Sequence, residues 1–529
     1  MIRYHDPKQM TIEEFDWPFL SHMDKTNRWV RLSEKIPWEA LAEGYCQSLN
    51  ESRGRPGLDA RLVIGAVIIK HKLCLSDRET VAQIQENPYL QYFVGLPGFQ
   101  MKEPFAPSLL VEIRKRMGET VFDVFHEAMM TAVEQAKSAQ ASQPSLNQSV
   151  KPGDDSEPPG SPPKAASSSG ETDSSTPESP SHQGKLLLDA TVCSQAIRYP
   201  TDLSLLNEAR LFSEQIIDCL YAPQKQVGKK PRTYRVKARQ DYLTIAKQKR
   251  PSAKARRRGI KQQLQYLHRN LKHIETLLRF FPEGTPLPLP RWLLSRYWVL
   301  PYLYEQQRSM YNHRSKRCDD RIVSISQPYV RPIIRGKLGT PVEFGAKLSV
   351  SLNSDHLAVV DELRWDAFHE SQDLPQQVEA YQTRHGYYPE VVLADTIYGT
   401  RANRQYLKSK GIRFAGKPLG RPKKVTPENQ KTIQQEKARR REEYRQRIPI
   451  EGKFGQGKNG YRLNYIRAKR ANTSYAWINS IFLVMNLKIL MRIFLALKKW
   501  PVLGRLFTFR HVMGSIMLRL GSIPIAAME

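Results

Sequence analysis

The clearest apolar pattern near the start of the chain is LDARLVIGAVIIKHKL, from Leu58, whose apolar residues recur at helical spacing. Ser76-Asp77-Arg78-Glu79 follows, a serine with a glutamate three residues on, which predicts a capped start for a second short helix. Asn87-Pro88 ends it, and a longer helical pair runs from Ser108 to about Gln135, broken near Gly118. Two short helices joined by a tight turn suit a helix-turn-helix DNA reader and a plain helical bundle alike.

The pattern changes at 138–184, where Ser and Pro dominate and aromatic residues are absent. Such a segment buries too little surface to offset its ordering entropy and predicts a flexible linker. KLLLDATV (185–192) then reads as a buried strand. LSLLNEARLFSEQIIDCLY reads as a helix, with Asp202 as its N-cap. A helical stretch from Arg291 to His313 carries Trp292 and Trp298, which read as core residues, with stacking on an unpaired base as the alternative.

Strand patterns return at 329–337, 342–353 and 356–366, with Gly336 and Gly339 fitting a hairpin turn. Asp361 and Asp366 in this stretch read as turn or solvent residues. DLPQQVEAYQTRHG predicts a helix stopped at Gly386, YPEVVLAD a short buried strand ending at Asp395, NRQYLKSKG a helix stopped at Gly411, and IRFAGK a further strand. A charged helical stretch (421–447) and a helical pattern from Glu451 to about Leu497 complete the order.

Charge narrows the partner. There are 82 Lys plus Arg against 52 Asp plus Glu, a net charge of +30. A field of that sign and size captures polyanions, which makes nucleic acid the leading partner and an anionic membrane surface its rival. Fourteen Lys or Arg lie between Lys229 and Lys261, with Asp241 the only acid among them. This stretch, with Arg256, Arg257 and Arg258 toward its C-terminal end, reads as a surface that tracks phosphates; a solvated helical face is the alternative. The five cysteines are scattered without CxxC spacing, as suits reduced thiols in the cytoplasm. The first residues hold no apolar signal core. Lys488 and Arg492 interrupt the apolar run 481–497, so a buried or amphipathic helix is expected there and not a membrane span.

Two carboxylates stand at the ends of apolar strands, Asp189 in LLLDAT and Asp395 in VVLADT. A carboxylate there is costly unless it is paired or holds a metal; a turn-capping role is the alternative for each. The third piece is Tyr444, Arg447, Glu451 and Lys458, whose offsets of three, seven and fourteen residues put them on one helix face. Pro449 should kink that helix or start a new one. Gly452, Gly455, Gly457 and Gly460 would let a nucleic-acid backbone approach closely.

Taken together, these segments resemble the catalytic core of bacterial insertion-sequence DDE transposases. The array matches their Y-(2)-R-(3)-E-(6)-K pattern residue for residue. YPTDLSLLNEAR, RPIIRGKLGTPVEFGAKLSVSL and ADTIYGTRANRQYL are similar to one large group of these proteins, and the N-terminal region resembles the InsH-type N-terminal domain. The resemblance implies an α+β fold: an RNase H-like mixed sheet of five strands flanked by helices, with Asp189 on the first strand, Asp395 after the fourth and Glu451 on a later helix. The 206 residues from Asp189 to Asp395 exceed the bare fold and imply a helical, basic insertion.

The implied organisation is a helical N-terminal domain with possible DNA binding (1–137), a linker (138–184), a catalytic domain (185–202 and 326–500) interrupted by the insertion (203–325), and a C-terminal tail (501–529). The implied cofactor is a pair of Mg2+ or Mn2+ ions on Asp189, Asp395 and Glu451. The implied DNA contacts are Tyr444, Arg447, Lys458, Tyr398, Lys453 and the three arginines, although a core tyrosine reads equally well at Tyr398. The activity implied is cleavage of transposon ends and joining of the freed 3′-OH to target DNA, by a homodimer on terminal inverted repeats in the cytoplasm, at the nucleoid. A metal-dependent nuclease without strand transfer shares the carboxylates, and an inactive DNA-binding derivative is the remaining alternative.

Overall fold

The computed structural model describes residues 23–49, 57–141, 182–225, 228–334, 342–420, 426–427 and 429–520. Most of the expected linker, and the Gly336–Gly339 turn, lie outside them.

A mixed sheet organises the α+β chain. Its central strand, β1 (Lys185–Ser194), runs antiparallel to β3 (Val342–Leu352) and parallel to β5 (Val391–Ala394), and β5 continues the parallel half into β6 (Arg413–Ala415). The far edge of β3 is shared end to end. β2 (Arg331–Ile334) pairs with its start, and β4 (Ala358–Arg364) with its remainder. The sheet is thus five strands wide but built from six, and Asp395 follows the fifth strand of the chain, not the fourth as expected.

Both faces of the sheet are covered, which is why β1 and β5 read as unbroken apolar runs. Leu186, Leu188 and Val392 pack on Leu374, Val378 and Leu407, from α13 (Leu374–His385) and α14 (Arg401–Ser409). Leu187 and Leu393 face the other way, onto Ile450, Phe454, Ile478 and Phe482 of α15 (Gln430–Gly460) and α16 (Ala471–Leu520). The helices numbered α1 to α12 precede these. Gly386 adopts φ 78° just past α13, the left-handed stop its sequence predicts.

Helix α15 continues through Pro449, so no new helix starts there. Proline removes one hydrogen bond and costs about 3 kcal/mol in a helix interior. Burial of Ile450 and Phe454 against the sheet offsets that cost.

The N-terminal helices follow their caps. Those described are α1 (Arg28–Ser33), α2 (Trp38–Cys46), α3 (Ala60–Lys72), α4 (Asp77–Glu86), α5 (Pro88–Phe93), α6 (Leu109–Arg116) and α7 (Glu119–Ala141). Asp59 caps α3, Ser76 and Glu79 form the predicted capping box on α4, and Asn87 caps α5. Residues Ala60 to His71 of α3 are all buried, and α4 turns Arg78, Glu79 and Glu86 outward, a face of mixed sign. These helices share their core with Ala476, Leu483, Val484 and Leu487 of α16. The opposite side of α16 packs on the sheet. The stretch Ala471–Leu495 is long and apolar enough to cross a bilayer, and burial on two sides accounts for that composition.

Between β1 and β2 the chain is helical: α8 (Asp202–Tyr221), α9 (Arg235–Ala246), α10 (Ala253–Leu278), α11 (Arg291–Tyr297) and α12 (Leu300–Asn312). Leu206, Ile217, Leu267, Leu277 and Leu303 form their own core. Thr201, not Asp202, is the N-cap of α8; Asp202 instead accepts from Arg321 at 2.7 Å. Trp292 and Trp298 are not core residues, being 49% and 63% exposed. Leucines at the alternate helical positions already fill that interior, leaving the indoles outside.

Candidate active site

The pairing register sets the site. Leu188 stands opposite Ala394 across parallel strands, so Asp189, inside β1, lies level with Asp395, the residue just past β5, and is not at a strand end as expected. Neighbouring strands lie about 4.8 Å apart. Asp395 also caps a short helical turn, accepting from the Thr396 N–H at 2.7 Å, as the turn-capping alternative expects. Asp189 accepts from the Ala190 N–H at 2.8 Å. Burial pushes its carboxyl above the ordinary range, and the nearby charges of Asp395 and Glu451 push the same way, against Arg447.

Helix α15 supplies the remainder. Arg447 donates to Glu451 Oε1 at 2.5 Å, and its other terminal nitrogen lies 3.8 Å from Asp189 Oδ2. One guanidinium therefore links an acid on the strand to an acid on the helix. The Tyr444 ring is 5.6 Å from that guanidinium and otherwise faces solvent. Lys458, half-buried, lies two turns beyond Glu451.

Other assigned residues are elsewhere. Lys453 is taken into the interior, 5% exposed, donating to Asn486 Oδ1 at 3.1 Å and the His356 carbonyl at 3.3 Å. Burial pulls its ammonium down to about 7, so a DNA contact is replaced by a structural bridge. The signal was available: Ile450, Lys453, Phe454 and Gly457 share the apolar face, away from Glu451. Tyr398 belongs to the core beneath the site, fully buried, its hydroxyl without a hydrogen-bond partner among the described residues. Burial holds that phenol well above its ordinary value. Arg256 and Arg258 are exposed on α10, while Arg257 lies over the Tyr311 ring at 4.1 Å and donates to its carbonyl. Asp361, expected in a turn or solvent, is buried and paired with Arg384 at 2.6 Å.

Sequence reasoning missed a cavity of about 650 Å3 between the ends of β5 and β6 and α15. Asp395, Tyr444 and Arg447 line it, with Lys417, Arg440 and Arg441 adding positive charge. Glu443 on its wall is buried and paired with Arg413 of β6, fastening α15 to the sheet edge. The only hint in the sequence is the density of cations just before Tyr444.

Three carboxylates are the donor chemistry that suits a hard divalent cation. Among the described residues, however, no three His, Cys, Asp or Glu side chains are gathered closely enough to hold an ion. Arg447 stands between two of the acids.

Comparison with known proteins agrees in both halves of the chain. Residues 392–488 match the family model of a transposase DDE domain, a span that starts three residues before Asp395 and includes Glu451. Residues 18–116 match a transposase domain of the DUF772 type. An uncharacterized protein, ORF8 in the nfe locus of Rhizobium meliloti, is 36% identical over 110 residues, 21% of this chain and 53% of the relative. The chain thus spans about half the length of that curated relative. No solved structure matches. Transposase domains are therefore matched in two separate stretches, and the resemblance to bacterial insertion-sequence DDE transposases carried by the motifs is borne out.

Proposed function

We propose that this chain is a DNA transposase that cuts transposon ends and joins them to target DNA at Asp189, Asp395 and Glu451. The observation that carries the reading is the shared level of Asp189 and Asp395 on adjacent parallel strands, with Glu451 linked to Asp189 through Arg447. A mixed sheet five strands wide, helical on both faces, supports an RNase H-like core.

The three carboxylates would hold Mg2+ or Mn2+, two ions in the full site. When bound, the metal supplies an activated water and stabilises the leaving oxygen. The chain's own residues do the positioning. Arg447 offers a planar fork suited to two phosphate oxygens. Tyr444 and Lys458 flank it on the same helix. The backbone N–H groups of Ala190 and Thr396 fix the orientation of the two strand acids. Exposed Arg256 and Arg258 track the DNA backbone farther out. Two transposon ends must be held together, which calls for a homodimer on DNA.

The test is an assay on DNA carrying the repeats that bracket the gene, with Mg2+ and a target plasmid. Wild-type protein is expected to nick the ends and yield strand-transfer products. Asp189→Ala should do neither; full end cleavage by that variant would remove the active-site assignment. Cleavage without strand transfer by the wild type would leave a nuclease.

A further inference from the structure

Arg447 is placed to do more than contact phosphate. Its guanidinium lies between Asp189 and Glu451, and its side chain is only 12% exposed. Asp189 and Glu451, with side chains 21% and 50% exposed, repel each other, and a cation between them relieves that repulsion. The same position is where a divalent ion would bind the pair. The same side chain also lines the 650 Å3 cavity on the Asp395 side, whose rim carries Lys417, Arg440 and Arg441. A guanidinium leaving the acids thus has an adjoining space to enter, and the charge of that space calls for an anion.

We propose that Arg447 is an exchangeable counter-ion: it neutralises Asp189 and Glu451 when no metal is bound, and a DNA phosphodiester in the adjoining cavity draws it off so that metal can take its place. This rests on the site reading above. DNA and metal then bind with positive coupling. A phosphate that engages Arg447 removes the competitor for the carboxylates, and a metal that displaces Arg447 frees it for the phosphate. The device would keep the site free of metal, and of hydrolysis, until DNA is seated.

The experiment is a titration of the full chain with Mn2+, following free Mn2+ by electron paramagnetic resonance, with and without a short DNA duplex. For wild-type protein, duplex should tighten Mn2+ binding within the roughly 5- to 150-fold range usual for coupled sites. Arg447→Ala should bind Mn2+ at least about fivefold tighter than wild type without DNA, and duplex should add less than about twofold. Arg447→Lys, which keeps the charge but loses the fork, should fall between them. Thermal melts by circular dichroism establish that each variant is folded. Unchanged or weaker Mn2+ binding by folded Arg447→Ala would overturn the exchange, as would equal coupling in wild type and variant. Asp189→Ala and Glu451→Gln separate the two levels. If they bind Mn2+ like wild type, the site reading itself falls; if they lose it while Arg447→Ala behaves like wild type, only the exchange falls.

Discussion

The central sheet and the helical insertion between β1 and β2 treat charge in opposite ways. In the central sheet Leu186 to Leu188 of β1 and Val391 to Ala394 of β5 are apolar on both faces, so a carboxylate such as Asp189, directly after such a run, demands a reason. In the insertion, cations cover the outside of helices whose interior is leucine and isoleucine, and one arginine more or less changes little. An unusual residue is informative only against a background that excludes it. The sheet provides such a background, and the insertion does not.

That contrast is breakable, most sharply at the acids. Asp189→Ala or Glu451→Gln should lower the rate of end cleavage by on the order of 10^2 to 10^3 or more, as loss of a preorganised electrostatic group does, measured with saturating DNA. Arg256→Ala with Arg258→Ala should leave that rate near wild type. It should instead weaken DNA binding and reduce the slope of log affinity against log salt by about 2, one per lost phosphate contact. Equal loss of rate in both variants would erase the distinction.

Packing gives the next largest effect. Leu188→Ala, beneath Asp189 and fully buried, should cost about 2–5 kcal/mol in denaturant unfolding. Trp298→Ala, on the exposed face of the insertion, should stay within about 0.5 kcal/mol. A large loss at Trp298 would restore the core role that its sequence suggested.

A pH-dependent effect marks the joint between the N-terminal helices and the sheet. His126 on α7 is fully buried, and burial pulls its imidazole down to about 3, with Arg384 and Lys453 acting in the same sense. Between that value and the unfolded value near 6.5 the unfolded chain binds more protons, so this stability is fully present above pH 6.5. It should fall by up to about 1.4 kcal/mol per pH unit on acidification toward pH 3. His126→Leu should flatten that slope in unfolding curves taken from pH 7 to pH 4; an unchanged slope would place the acid sensitivity elsewhere.

Much of the sheet was legible because strands buried on both faces leave a plain apolar signature, and because Asp189 and Asp395 interrupt it. The Tyr444–Arg447–Glu451 face was legible because helical spacing is local. Other features depended on contacts distant in sequence. Lys453 meets Asn486 and His356 only once α15, α16 and the β3–β4 turn are assembled. The charge of Asp361 is matched by Arg384, 23 residues away. The end-to-end sharing of β3 by β2 and β4 is a matter of register, which no local pattern encodes. Pro449 does not end α15, because Ile450 and Phe454 just after it are buried against the sheet.

Helix α16 carries a consequence for how the molecule can be divided. It is a party wall: Leu483, Val484 and Leu487 face the N-terminal helices, while Ile478, Phe482 and Met485 face the sheet. A protease or an engineer who removes the first 141 residues strips one side of that wall and leaves its leucines open to water, an adhesive patch that invites aggregation. The transposase-domain segments at 18–116 and 392–488 therefore answer to one shared structural element, and a sequence change in α16 made to suit one of them is tested at once by the other.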